Sequence, residues 1–385
     1  MKICFYTRAW RSSTGWQAQL IAQNLANCGF EVIFIAPLSE PISREPSHSN
    51  LIRKITRREL ISGSKLSRRL SSIFRVISGL TATVAARLRT NVFFITIPDP
   101  LIFSIPTIAL LRLTGAKVVY LCHDPLPHAW KFPRSLRALE RAQLSAMYNL
   151  ANELVVLAPS AAKTLRDEFS INPSRIHVVD HGPLSFEVSS PIPASRTLLL
   201  FGTLRRNKGI IEAIEGVVEA RARGLDVRLL IAGAPHEEDS GYWTDCERII
   251  SLNSDAFDLE LGFIDEDRIS GLIAASDAFL LPYTDFDSQS GVAILAGANG
   301  RPVIGSNSGG IRGLLESGQP GIMIASPVAG PSVAHAIQDF YATNIDEWQK
   351  KCAAYRLASI DAGGWKNSIQ GYVSVLSRYA KKREI

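Results

Sequence analysis

The sequence predicts an α/β protein made of two doubly wound domains in tandem, each a mostly parallel sheet with helices on both faces. Three observations carry this. Short β-branched apolar runs alternate with segments of helix length, the pattern of strands buried on both sides. The pattern stops at a Pro- and Ser-rich stretch, "GPLSFEVSSPIPASR", and then starts again. At 385 residues the chain is long enough for each half to bury its own core.

In chain order, "KICFYT" reads as the first strand; Trp16, Leu20, Ile21, Leu25 and Cys28 follow at helical spacing, Gly29 stops the helix, and "FEVIFIA" is the next strand. "NVFFIT", "KVVYLC", "ELVVLA" and "IHVVD" add further strands. Residues 1–190 are assigned to this first domain, with a basic amphipathic excursion at about 40–90. The restart supplies "TLLLFG", a helix with Ile210, Ile214, Val217 and Val218 on one face, then "DVRLLIAG", "AFDLELGF", "AFLLPY" and "RPVIGS", in a second domain over 191–360. Residues 361–385 are expected to form a helix that crosses back to the first domain. There Trp365, Ile369, Tyr372, Leu376 and Tyr379 recur at helical spacing after Gly363-Gly364, an apolar stripe that needs a surface to cover. Two such domains bind ligands in a cleft at the C-terminal ends of their strands.

With 46% hydrophobic and 20% charged residues the chain reads as globular rather than disordered. The five cysteines are scattered, without a CxxC pair or a His/Cys cluster, so neither a disulfide framework nor a zinc site is expected and a reducing cytoplasm fits. "MKICFYTRAW" enters a strand at once and lacks a signal peptide's apolar core. "LIFSIPTIALL" is broken by proline and well short of the ~20 residues of a spanning helix. The basicity is regional: residues 41–150 hold 17 Lys and Arg against 5 Asp and Glu. Within them Leu66, Leu70, Ile73, Phe74 and Ile77 fall on one helical face, with Lys65, Arg68, Arg69 and Arg75 off it. Such a helix either lies on an anionic membrane surface or packs its apolar face on its own core. No nucleic-acid motif accompanies the charge, and nucleic acid is not expected as a partner.

Two loops carry the chemistry. In "FGTLRRNKG" a strand ends at Gly202, which lets the chain turn, and Arg205 and Lys208 follow at the rim. Arg holds a phosphate through a fork and Lys as a point charge. In "TDFDSQSGVAILAGANG" Ser288 or Ser290 caps a helix whose first N–H groups, near Gln289 to Val292, are ready for an anion, and Gly291 allows close approach. Both lie at strand C-termini of one domain, which suits a diphosphate.

These stretches resemble the large group 1, or family 4, retaining glycosyltransferases of GT-B fold. The likeness rests on "GTLRRNKG", "LLIAGAP", "LLPY" and "SQSGVAILAGANGRPVIGSNSGGI" in the second half, and on "STGWQAQLIAQNLANCGFEVIFIA", "LCHDPLPH" and "VVDHG" in the first. It implies two Rossmann-like domains facing across a cleft. It further implies that Arg205 and Lys208 hold the donor diphosphate, that Ser290 and Gly291 give it backbone N–H groups, that His123 faces the transferred sugar, and that Gly15 forms a glycine turn near the phosphates. His181, in the interdomain His-Gly, reads as structural. The implied activity is transfer of a hexose from a UDP- or GDP-sugar to a glycan or polyprenyl-diphosphate-linked acceptor in exopolysaccharide- or lipopolysaccharide-type synthesis, peripheral on the inner face of the cytoplasmic membrane.

The sequence departs from the family at its usual Glu, seven residues, Glu. Those positions hold Asp287, which still accepts from a sugar hydroxyl, and Leu295, which cannot bind a ribose. "DFD", residues 285–287, mimics an Asp-x-Asp metal motif, but a basic pair and a helix terminus already neutralise a diphosphate, so neither metal nor cofactor is expected. The loss at Leu295 leaves a non-catalytic sugar-nucleotide-binding partner open; a GT-B-fold epimerase is the other alternative, and it would need carboxylates such as Asp124, Asp285 or Asp287 in the cleft.

Overall fold

The first strand, β1 (Lys2–Tyr6), turns Ile3 and Phe5 to one face of a sheet and Cys4 and Tyr6 to the other, all four buried. That period-two alternation, apolar on both sides, requires a helical layer on each face. The computed structural model describes residues 1–10, 12–37, 46–56, 65–98, 100–127, 134–184, 190–236, 239–286, 289–361 and 364–380. The chain divides into two compact units, Met1–Gly182 with Trp365–Ile385, and Pro183–Gly364.

In the first unit β1 is followed by α1 (Ser12–Asn27), β2 (Glu31–Pro37), β3 (Leu51–Thr56), α2 (Lys65–Ala86), β4 (Val92–Ile95), α3 (Leu101–Leu113), β5 (Lys117–Cys122), α4 (Arg137–Leu150), β6 (Glu153–Val156), α5 (Pro159–Phe169) and β7 (Ile176–Val178). Seven strands pair in parallel in the order β3-β2-β1-β4-β5-β6-β7. One strand beyond the sequence reading, β3, lies inside the basic excursion. "LIRKIT" is an edge strand whose pattern is half-exposed, so its apolar signal is weak. The buried face of α1 is Gln17, Ala18, Ile21, Ala22, Leu25 and Ala26, while Leu20 is half-buried and Cys28 is exposed past the helix end. Small residues complete that face, and the spacing of large ones alone misplaces its edge.

The second unit runs β8 (Thr197–Phe201), α6 (Ile210–Ala222), β9 (Arg228–Gly233), α7 (Ser240–Ser251), β10 (Phe257–Leu261), α8 (Glu266–Ala274), β11 (Ala278–Leu281), α9 (Gly291–Ala298), β12 (Val303–Ser306), α10 (Gly309–Glu316), β13 (Gly321–Ile324), α11 (Gly330–Ala342) and α12 (Ile345–Arg356). Its six parallel strands are ordered β10-β9-β8-β11-β12-β13. The strand β13, "GIMI", is short, at the sheet edge, and was not visible in the sequence pattern. The chain enters this unit at Pro183, ahead of the expected boundary at 190. Arg301, fully buried, ties the linker down: it donates to the carbonyls of Ser190 (2.8 Å) and Pro191 (3.0 Å) and, through Nε, to those of Ile273 and Ser276.

The C-terminal helix α13 (Gly364–Ser377) belongs to the first unit, where Ile369, Tyr372, Val375 and Leu376 join Phe5, Phe34 and Phe94 in one core. Tyr372 meets Phe94 edge to face at 5.7 Å. Two glycines permit the approach: a Cβ at Gly182 would lie 2.4 Å from the Trp365 ring, and one at Gly371 2.8 Å from Val179. Past the helix, buried Glu153 accepts from Tyr379 (2.8 Å) and Arg378 (3.1 Å), and its other neighbour is His177 at 2.7 Å. The apolar stripe and these bonds fasten the last turn to β6 and β7.

Candidate functional site

In a doubly wound sheet ligands bind beyond the C-terminal edge, where neighbouring strands send their crossovers in opposite directions. In the second unit that point lies between β8 and β11, paired through Ala278↔Leu198 and Phe279↔Leu199. The loops leaving it are the two singled out by charge and glycine, residues 202–209 and 282–290.

The first loop follows β9 briefly, the N–H groups of Gly202 and Leu204 donating to the carbonyls of Ala232 (3.0 Å) and Ala234 (2.9 Å). It then makes a single 3-10 turn, Arg206–Lys208, closed by Gly209 at φ 64°. A Cβ there would stand 1.8 Å from the Pro282 carbonyl, so both conformation and space demand glycine. Arg206 is engaged: its N–H donates to Asp239 (3.1 Å) and its guanidinium lies over the Tyr242 ring at 4.5 Å. Arg205 and Lys208, by contrast, form no ion pair with a carboxylate among the described residues, and Arg205 Nε is buried without a hydrogen-bond partner. Lys208 Nζ donates to the Tyr283 hydroxyl and sits 3.9 Å from that ring's centroid.

The second loop ends in α9. Ser290 is its N-cap, Oγ accepting from the Ala293 N–H at 3.2 Å, which leaves the N–H groups of Gly291 and Val292 without intrahelical acceptors. A Cβ at Gly202 would lie 3.7 Å from Val292 Cγ2, so the helix start and the Gly202 turn adjoin. Gln289 is half-buried beside them. Two partly buried cations and a helix N-terminus thus flank one switch point, an arrangement that attracts a diphosphate. Asp287 and Ser288 lie outside the described residues. Leu295 is buried inside α9.

In the first unit the switch point lies between β1 and β4. Thr96, which follows β4, and His123, which follows β5, are hydrogen-bonded through Oγ1 and Nε2 at 2.9 Å. Burial pushes the His123 imidazole down to about 4 against the opposing pull of Asp124. His181 donates from Nδ1 to the Gly182 carbonyl (2.6 Å), and burial, with His123 nearby, lowers it to about 4 despite that bond. Two neutral imidazoles therefore share this site near pH 7, suited to hydroxyl groups rather than to phosphate. Gly15 is not a turn. It is the fourth residue of α1, and a Cβ there would lie 2.2 Å from the Trp10 carbonyl, which also accepts from Gln19 at 2.9 Å. The glycine is needed because the chain before α1 folds tightly back on it.

Two family models match this chain: the one described as Glycosyltransferase Family 4 over residues 15–182, and the one described as Glycosyl transferases group 1 over residues 195–343. The chain belongs to the group 1, family 4 glycosyltransferases. Among curated relatives of this glycosyltransferase, a Mycobacterium tuberculosis glycogen synthase is 25% identical over 238 residues, 60% of this chain; the match spans 56% of that enzyme's length. Solved structures similar to it include Anabaena HepE in complex with UDP and glucose (14% identity, TM-score 0.69, 98% of this chain and 99% of that one). Thermosynechococcus elongatus sucrose-phosphate synthase is similar at 16% identity and TM-score 0.71, covering 98% of each chain. WaaG, a glycosyltransferase of lipopolysaccharide biosynthesis, is similar at 15% identity and TM-score 0.66, covering 98% and 99%. The fold is GT-B. The reading of the sequence gave no role to Tyr283, Gly209 and Thr96, because each acts on a partner far from it in sequence; the tyrosine of "LLPY" and the last glycine of "GTLRRNKG" were the signals present.

Proposed function

We propose that this glycosyltransferase moves a hexose from a UDP- or GDP-sugar, with retention, to a glycan or polyprenyl-diphosphate-linked acceptor at the inner face of the cytoplasmic membrane, in exopolysaccharide- or lipopolysaccharide-type synthesis. One observation carries the donor side: Arg205 and Lys208, without carboxylate partners among the described residues, stand in the loop that adjoins the N-terminus of α9. HepE, solved with UDP and glucose and with UDP-glucose, supports a nucleotide-sugar donor and says nothing of GDP.

Displacing a nucleoside diphosphate from an anomeric carbon builds negative charge on the departing β-phosphate and positive charge on the sugar ring. Fixed cations and N–H dipoles at the phosphate stabilise that state more than the ground state, which is what lowers a barrier. Neutral His123 serves the sugar hydroxyls. The acceptor attacks on the face from which the diphosphate leaves, and the departing phosphate helps take its proton. Buried Leu295 offers no carboxylate to a ribose and keeps a binding-only reading in play. Incubation with donor alone and then with donor plus lipid-linked saccharide tests both. Transfer supports the proposal, epimerised donor points to an epimerase, and binding without any turnover leaves a non-catalytic partner.

A further inference from the structure

The helix α2 is built inside out for a soluble layer. The face it buries is Ser71, Val76, Gly79, Thr83 and Ala86, and a Cβ at Gly79 would meet the Tyr6 hydroxyl at 2.7 Å, so small residues bring it close to β1. Its large apolar residues face outward: Leu70, Ile73, Phe74 and Ile77 are 47–55% exposed, with Val84 on the same face. Of the stripe seen in the sequence, Leu70, Ile73, Phe74 and Ile77 are therefore not core packing; the side chains of Leu66, Lys65, Arg68 and Arg69 lie outside the described ones. The neighbouring helix α3, in contact with α2, does the same. It buries Ser104, Ile108 and Leu111 and exposes Ile102, Phe103, Leu110 and Leu113 at 46–86%, with exposed Pro106 between them. Monomeric soluble proteins rarely leave so many large apolar side chains open on two adjacent helices.

The stretch of chain that carries this face is predominantly basic. Residues 57–124 hold ten Lys and Arg against three Asp and Glu, namely Glu59, Asp99 and Asp124. No helix among the described residues is long and apolar enough to cross a membrane. Exposed apolar rows on two helices in a strongly basic stretch of chain match an anionic bilayer, where apolar side chains enter the headgroup boundary and each nearby cation adds attraction.

We propose that α2 and α3 form one docking surface for an anionic bilayer, and that α3, which carries few charges of its own, supplies the inserting row Ile102, Phe103, Leu110 and Leu113. The inference rests on the membrane-presented acceptor proposed above. It adds the surface that reaches the membrane.

The test is co-sedimentation with phosphatidylcholine vesicles, with and without phosphatidylglycerol, at low and high salt. The parent is compared with Phe103→Glu/Leu110→Glu on α3 and Ile73→Glu/Ile77→Glu on α2, all exposed positions, with thermal melts and donor hydrolysis in solution as controls for folding. The parent is expected to bind anionic vesicles and to lose binding at high salt, and each double variant to lose on the order of tenfold or more in partition while donor hydrolysis is unchanged. An α3 variant that binds as the parent does overturns the two-helix surface. A parent that transfers sugar yet ignores both vesicles overturns the docking surface and leaves the transferase reading standing. A parent that dimerises through this face, becoming monomeric in the variants by analytical ultracentrifugation, assigns the surface to a second copy and overturns the proposal.

Discussion

Lys208 and Tyr283, 75 residues apart, form one unit: the ammonium donates to the tyrosine hydroxyl and lies 3.9 Å from the centroid of its ring. Tyr283 is itself buried and packs edge to face on Phe286 at 5.0 Å, so it is a fixed post rather than a mobile side chain. An ammonium held by a hydroxyl and a ring face loses rotamer freedom before any ligand arrives.

Tyr283→Phe removes the hydroxyl and keeps the ring. The expected result is a fall in kcat of about tenfold with an unchanged melting temperature, since one hydrogen bond to a charged group is worth about 1.5 kcal/mol or more. A normal kcat with lowered stability would make the contact purely structural. Lys208→Ala should cost more, about 2–4 kcal/mol of transition-state stabilisation.

Gly209→Ala and Gly202→Ala both place alanine at positive φ, 64° and 109°, but only the first meets an obstacle, the Pro282 carbonyl; the nearest atom at Gly202 is 3.7 Å away. Gly202→Ala is expected to cost about 1–2 kcal/mol of strain and Gly209→Ala clearly more, with loss of donor binding. Chemical denaturation of the two variants gives the order directly, and equal losses would contradict it.

Acid should weaken the first unit over a definite range. His123 and His181 have their folded values lowered to about 4, below the ordinary 6.5, so between these limits the unfolded chain binds more protons than the folded one. Stability present above pH 6.5 is lost as the pH falls toward 4, on the order of 1 kcal/mol per pH unit for each histidine. Thermal melts from pH 7 to 4.5 should show a steeper decline in the parent than in His123→Asn. Identical slopes would mean that the imidazole is already charged in the fold.

The cap on α9 is separable from its charge. Ser290→Ala removes the acceptor for the Ala293 N–H and should destabilise by about 1 kcal/mol while weakening donor binding, whereas Ser290→Asp keeps a cap but sets an anion where a diphosphate is proposed. Calorimetric titration with UDP distinguishes the two: the alanine variant binds less well, the aspartate variant least. An aspartate variant that binds UDP as tightly as the parent would remove the anion site from this helix.

The sheets were legible because their strands are apolar on both faces, as in "VFFI" and "TLLLF", and the returning helix because Ile369, Tyr372 and Leu376 keep strict spacing. The edge strands β3 and β13 were not, since half of an edge strand faces water and its pattern dissolves. Charge and glycine marked Arg205, Lys208, Ser290 and Gly291 in one sequence, and the structure brings their two loops together at the β8/β11 switch point. What makes them a site could not be read locally: Tyr283 beneath Lys208 and the Pro282 carbonyl against Gly209 are contacts between loops. Gly15 shows the converse, a glycine expected at a turn that instead makes room for Trp10. The outward stripe of α2 was visible as spacing, but its direction depends on Gly79 being small enough to lie against Tyr6 of β1.

The central claim, that the loop of Arg205 and Lys208 holds a donor diphosphate for transfer, is tested most directly by following release of UDP or GDP from a labelled nucleotide-sugar panel with parent, Arg205→Ala and Lys208→Ala. Release with at least one donor by the parent, and a fall of about 30-fold to 1,000-fold in each folded variant, is the predicted result. Undiminished release in either variant would contradict it.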